Sequence, residues 1–179
     1  MQEKKLLTLV RAKEDEIRPQ RFESAFFWDR QEKLLLSRHG EPTSVKFSAD
    51  EIALLKGAIA THNHPLGWNY SERDARRAGN SFSENDVRAA GYFSLSILRI
   101  VTPKLRYMMK PPPQGWDGAY WEKTLGPTYR RIYAQTWDEF IAKVQARQML
   151  SSVAGTTFGH EVWPRVASQL GLEYDREEF

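Results

Sequence analysis

A chain of 179 residues, 41% hydrophobic and 27% charged with a net charge of +3, is long enough to bury one core without staples and too weakly basic to indicate a nucleic-acid partner. It contains no cysteine, which excludes thiolate zinc ribbons, redox dithiols and cysteine nucleophiles, so any metal must sit on nitrogen and oxygen. The apolar run at residues 6–10 is hemmed in by charges and too short for a signal-peptide core or a membrane span, which predicts a cytoplasmic protein with no membrane partner.

In chain order, residues 3–17 read as a charged amphipathic helix stopped by Pro19, although the run "LLTLV" also allows a strand. The aromatic stretch "RFESAFFWD" (21–29) reads as a strand, with "KLLLSRHG" as its hairpin partner across "DRQE". On that strand Glu23 shares a face with Ala25 and Phe27. A further strand is expected at "SVKF" (44–47). Ser48 followed by Glu51 forms a capping box that opens a short helix closed by Gly57, and "AIATH" (58–62) returns as a strand. Ser83, with acidic residues at 84 and 86, opens a helix to about Ser94, followed by strands at "SILRIVT" and "KLRYMMK". The strongest linker-like punctuation is "KPPPQGWDG" (110–118). Beyond it, helical spacing runs from Tyr120 to Leu150 with a break at Gly126-Pro127, and a last helix near 158–170 ends at Gly171. The expectation is a mixed α/β fold in one domain with a helical C-terminal third.

The chemistry lies between residues 60 and 90. Side chains two apart on a strand point to one face, so His62 and His64 can aim two imidazoles at one ion while Asn63 points away. Asp86, in the first turn of the next helix, supplies a carboxylate as third ligand. A fourth position left to water distinguishes a catalytic zinc site from a structural one. Hydrolysis through such a site needs a base, and Glu23 is the candidate. Taken singly, a His pair before proline is ordinary polar surface and Ser83 is explained as a helix N-cap; their conjunction in this order points to a site. Glu32 and Glu41 also precede the histidines, but both sit among turn residues.

These residues carry a family resemblance. "THNHPLG…SFSENDV" resembles the signature of the JAB/MPN (JAMM) zinc metalloproteases, in which a Glu on an early strand precedes His-x-His-Pro and then Ser-x-x-Asp. The resemblance implies zinc on His62, His64 and Asp86, Glu23 as general acid/base and Ser83 as oxyanion stabiliser. It implies a curved mixed β-sheet flanked by helices, related to the cytidine deaminases, in a single domain over 1–179. The motif-bearing part is about 20–110, with a helical extension over about 117–179. The implied activity is that of a peptidase or isopeptidase, and the implied partner is a polypeptide substrate, a ubiquitin-like or a phage structural protein. The tail "HEVWPRVASQLGLEYDREEF" is similar to C-terminal domains of phage head-morphogenesis proteins, and RadC-like proteins share the signature. Those likenesses keep a non-catalytic assembly or binding module as the alternative.

Eighteen residues separate His64 from Ser83, more than the family usually has, so "WNYSERDARRAGN" (68–80) reads as an insertion. Its charges fit a solvated turn; as a mobile lid, its arginines would favour acidic substrates. Other metal classes fit poorly. Leu66 and Gly67 stand where a metallo-β-lactamase motif needs Asp and His, and Pro164 takes the place of the second histidine of a zincin helix at His160-Glu161. His160 is expected near a helix start and His39 in a turn. Trp116, Trp121, Tyr129, Tyr133 and Trp137 are expected in the core or on a docking surface.

Overall fold

The computed structural model describes residues 2–40 and 47–179. Helix α1 (Gln2–Ile17) forms because Leu6, Val10 and Ile17 fall on one helical face, and that face is buried against Phe26, Trp28, Ile59, Ile97 and Val101. The helical reading of the N-terminus therefore holds over the strand alternative. Glu14 lies on the same face and is fully buried. Its Oε1 accepts from Arg99 Nε at 2.6 Å and from Thr61 Oγ1 at 3.1 Å, while Arg106 Nε lies 3.1 Å from Oε2. This ion cluster fastens α1 to the sheet.

The sheet is open and six-stranded: β1 (Ser24–Trp28), β2 (Leu34–His39), β3 (Ile59–Asn63), β4 (Ile97–Val101), β5 (Leu105–Lys110) and β6 (Glu173–Glu178), in the order β2-β1-β3-β4-β5-β6. The β3–β4 pair is parallel and every other pair antiparallel. The crossover between β3 and β4 contains α3 (Glu84–Tyr92), as a parallel connection requires. Strand β1 is buried on both faces: Phe26 and Trp28 turn to α1, whereas Ala25 and Phe27 join the larger core on the other side. That core holds Leu55, Phe82, Val87, Tyr107, Met109, Trp121, Leu125, Phe158 and Trp163, and α3 and the C-terminal helices cover it.

The capping box expected at Ser48, which opens α2 (Ala49–Leu54), is present, and the N-cap expected at Ser83 is present as a box closed by Asp86. Gly57 adopts φ +78° just after α2, a conformation that favours glycine. Of the strand expected at 44–47, residues 44–46 lie outside the described residues, and Phe47 packs edge-on against Phe27 and Phe93.

Three expectations for the C-terminal part are corrected. Gly126-Pro127 does not break the helix: α4 (Gly118–Tyr120) runs through a π turn (Trp121–Leu125) into α5 (Gly126–Gln145). The Gly126 N–H bonds five residues back to Trp121 O, so the widened turn leads into Pro127 at the start of α5, where its missing donor costs least. Glycine suits position 126, because a Cβ there would stand 3.0 Å from Trp121 O. Helix α6 begins at Ser151 rather than near 158 and ends on left-handed Gly171, as expected. The chain then returns as β6 on the sheet edge. Its sequence, Glu-Tyr-Asp-Arg-Glu-Glu, has almost no apolar alternation to announce a strand, and its charges suit an exposed edge.

Candidate metal centre

Strand β3 delivers His62, and the chain stays extended through His64 (φ −106°, ψ 96°), so both imidazoles reach one side. The His64 Nδ1–H donates to the Asn80 carbonyl at 3.1 Å. That contact turns a lone pair on Nε2 toward His62, whose Nε2 stands 3.0 Å away. Two imidazole nitrogens facing each other at this distance need a proton or a cation between them.

The carboxylate comes from the N-terminus of α3. Asp86 is the third residue of that helix and completes its capping box: Ser83 Oγ accepts the Asp86 N–H at 3.1 Å, and Asp86 Oδ2 accepts the Ser83 N–H at 2.6 Å. So oriented, Asp86 places Oδ1 3.4 Å from His62 Nε2 and Oδ2 3.3 Å from His64 Nε2. Ligands at about 2.0–2.1 Å from a tetrahedral ion stand ~3.4 Å from one another, and the two imidazole nitrogens, each with a different Asp86 oxygen beside it, stand at spacings of that order. Two imidazoles and one carboxylate are nitrogen and oxygen donors of the kind that can hold a divalent ion such as zinc.

Glu23 stands at the threshold of β1, with Oε1 3.9 Å from His64 Nε2. Ligand atoms of Glu23, His62 and His64 all lie within 4.8 Å of one another. As expected, Glu23, Ala25 and Phe27 share a face: all three line a cavity of about 1050 Å³ that also contains His62, His64, Ser83 and Asp86. Burial pushes the Glu23 carboxyl above its usual range; His62 and His64 pull against this and Asp86 adds to it. Burial also works to raise Asp86, but the two imidazoles outweigh it and hold that carboxyl well below the ordinary range. For His64 burial favours the neutral ring, yet Asp86, the Asn80 carbonyl and Glu23 together raise its pKa. The centre thus favours positive charge among its carboxylates.

Every sequence-predicted site residue is therefore gathered at one place. Of the rivals to Glu23, Glu32 sits in the hairpin turn at φ +69° and pairs with Lys5, and Glu41 lies outside the described residues. What sequence reasoning missed is backbone and neighbour work. The Asn80 carbonyl orients His64 and carries no side-chain signal, while Asn63 pairs with the segment that bears Glu23. His39 ends β2 instead of occupying a turn, with Nδ1 2.9 Å from Ser24 Oγ. His160 lies inside α6 and not at its start; it bonds Tyr107 Oη through Nδ1 at 2.6 Å, and burial lowers its pKa. Of the five aromatic residues, Trp116 and Trp121 are core, Tyr129 stacks on Trp163, and Tyr133 and Trp137 are partly exposed.

The insertion is corrected as well. Residues 68–79 do not line the cavity. Trp68 Nε1–H donates to the Arg18 carbonyl at 2.7 Å, Arg77 donates to the Trp68 and Tyr70 carbonyls and lies 4.0 Å over the Trp68 ring, and Arg76 pairs with Asp74. Gly67 and Gly79 allow close packing, since a Cβ on either would come within 2.8 Å of Arg77 O or Thr102 Cβ. These two arginines brace the insertion, and neither lines the cavity. Its contribution to the site is Asn80, at its end.

Because Ser83 caps α3 and Asp86 closes the same box, Ser83→Ala is expected to cost about 0.5–2 kcal/mol. Chemical denaturation of the metal-free protein reads that loss; an unchanged midpoint would mean that the cap does not hold the helix end. Comparison of the chain with protein-family models, curated proteins and solved structures finds no match.

Proposed function

We propose that this protein is a zinc-dependent hydrolase of amide bonds, a peptidase or isopeptidase of the JAMM type on a JAB/MPN-like curved sheet. The observation that carries the reading is the convergence of His62 Nε2, His64 Nε2 and the Asp86 carboxylate at 3.0–3.4 Å, with the buried Glu23 carboxyl beside them. A zinc ion held by His62, His64 and Asp86 supplies Lewis-acid activation of a water and of the scissile carbonyl.

The chain's own groups account for the rest. A Glu23 carboxylate oxygen takes a proton from the attacking water as the new C–O bond forms, and later hands it to the leaving amine nitrogen as the C–N bond breaks. Its upward-shifted pKa suits a group that must both accept and return that proton. Ser83 Oγ spends a lone pair on the Asp86 N–H, which leaves its hydroxyl hydrogen free to donate to the oxyanion. The cavity continues from the centre past Phe82 to Tyr129, Tyr133 and Phe158, a wall suited to a polypeptide with apolar side chains flanking the cleaved bond. A ubiquitin-like or phage structural protein would supply such a chain.

The test is cleavage of a quenched peptide library and of ε-linked lysine isopeptides by zinc-loaded protein. Hydrolysis that is lost on chelation and restored by zinc is expected. Stoichiometric zinc without turnover of any substrate would instead favour the non-catalytic assembly module.

A further inference from the structure

We infer that Asn63, the residue between the two histidines, is a positioning residue that sets Glu23 against the metal ligands; this rests on the reading of Glu23 as the proton acceptor. Asn63 is 1% exposed and points away from the centre, into the gap between the end of β3 and the entry to β1. Its Oδ1 accepts the Ser24 N–H at 2.7 Å and its Nδ2 donates to the Phe22 carbonyl at 2.9 Å. The two backbone groups it holds bracket Glu23. The Glu23 carbonyl is itself bonded by the Gly40 N–H at 2.9 Å, so the residue is clamped from both neighbouring strands.

The register shows why a side chain is needed here. The β1–β3 ladder pairs Trp28 with Ile59 and ends at Ala25 opposite His62. Past that point the chain leaves the ladder to bring His64 round, and the His64 N–H bonds to Val101 on β4. The Asn63 carboxamide, one donor and one acceptor in a plane, replaces the missing peptide unit and extends the pairing by one residue. Aspartate would lack the donor, and the single hydroxyl of serine or threonine cannot span both groups. Glu23 otherwise sits before the first residue of its strand, where a free chain end would let its carboxyl wander. One three-residue segment thereby fixes both kinds of group: its outer residues supply imidazoles and its central residue fixes the base.

The experiment uses Asn63→Ala and Asn63→Thr, the second keeping a strand-forming side chain, each in the wild-type and Glu23→Gln backgrounds. Both are expected to keep one zinc per chain. Exchange of the Ser24 amide should accelerate by ~10-fold or more once its side-chain acceptor is gone. On a cleaved peptide, kcat should fall by ~10- to 100-fold at unchanged KM, the scale of a catalytic group displaced by about an ångström. In the Glu23→Gln background neither substitution should cost anything further, because a group acting only through Glu23 has nothing left to position. Equal losses in both backgrounds, or Ser24 exchange as slow as in the wild type, would overturn the assignment. If the zinc-loaded wild type hydrolyses nothing, the peptidase reading fails on its own, and Ser24 exchange still decides whether Asn63 holds the Glu23 segment.

Discussion

Glu23→Gln is expected to retain fold and zinc while hydrolysis falls by at least ~100-fold, the lower end of what acid/base catalysis contributes. Glutamine keeps the side chain's size but cannot accept the water's proton. Asp86 stands nearer the imidazoles, at 3.4 and 3.3 Å, than Glu23 does, at 3.9 Å from His64, so with His62, His64 and Asp86 as the ligands the loss of the Glu23 carboxylate is expected to leave metal binding intact. The measurement is kcat/KM alongside zinc content. Wild-type rates in Glu23→Gln would mean that another group takes the proton, and Glu32→Gln, far from the centre in its hairpin turn, serves as the unaffected control.

Glu14→Ala is expected to destabilise the fold by about 3–5 kcal/mol, because it strands the buried Arg99 guanidinium, and Arg106 beside it, without a counter-charge. For a chain of this size that lowers the melting temperature by roughly 6–20 °C. The exposed pair Lys5–Glu32, with the lysine 77% accessible, should contribute at most ~1 kcal/mol when broken. Denaturant midpoints compare the two directly. A Glu14→Ala loss below that of the surface pair would show that α1 is not fastened through the cluster. The cluster lies on the sheet face opposite the cavity, so zinc stoichiometry in the folded fraction should not change.

The centre was legible in the sequence because its chemistry is written in local spacing. A period of two places His62 and His64 on one side, Ser83 and Asp86 announce a helix N-terminus, and alternation along β1 puts Glu23 with Ala25 and Phe27. Each signal is carried by residues within a few positions of one another. What could not be read depends on partners far along the chain. Gly126-Pro127 is a strong local breaker, yet packing of Trp121 and Leu125 into the core holds the helix together through a π turn. Strand β6 exists because β5 offers a free edge, and its own residues are nearly all charged. The charges at 76 and 77 fit a solvated turn or a lid equally as local sequence, and it is the rings of Tyr70 and Trp68 beneath them that place them in a braced turn. Asn63 was legible as pointing away from the two imidazoles, but not what it points at, since Phe22 and Ser24 lie about 40 residues earlier.

The most direct test of the account is calorimetric titration of zinc into chelator-stripped wild-type protein, His62→Ala and Asp86→Ala. The account predicts one zinc per wild-type chain, and losses of affinity in both variants larger than the ~10- to 100-fold that removal of an outer-shell partner costs. Absence of stoichiometric binding to the wild type, or equal affinity in all three proteins, would contradict a shared site on His62, His64 and Asp86.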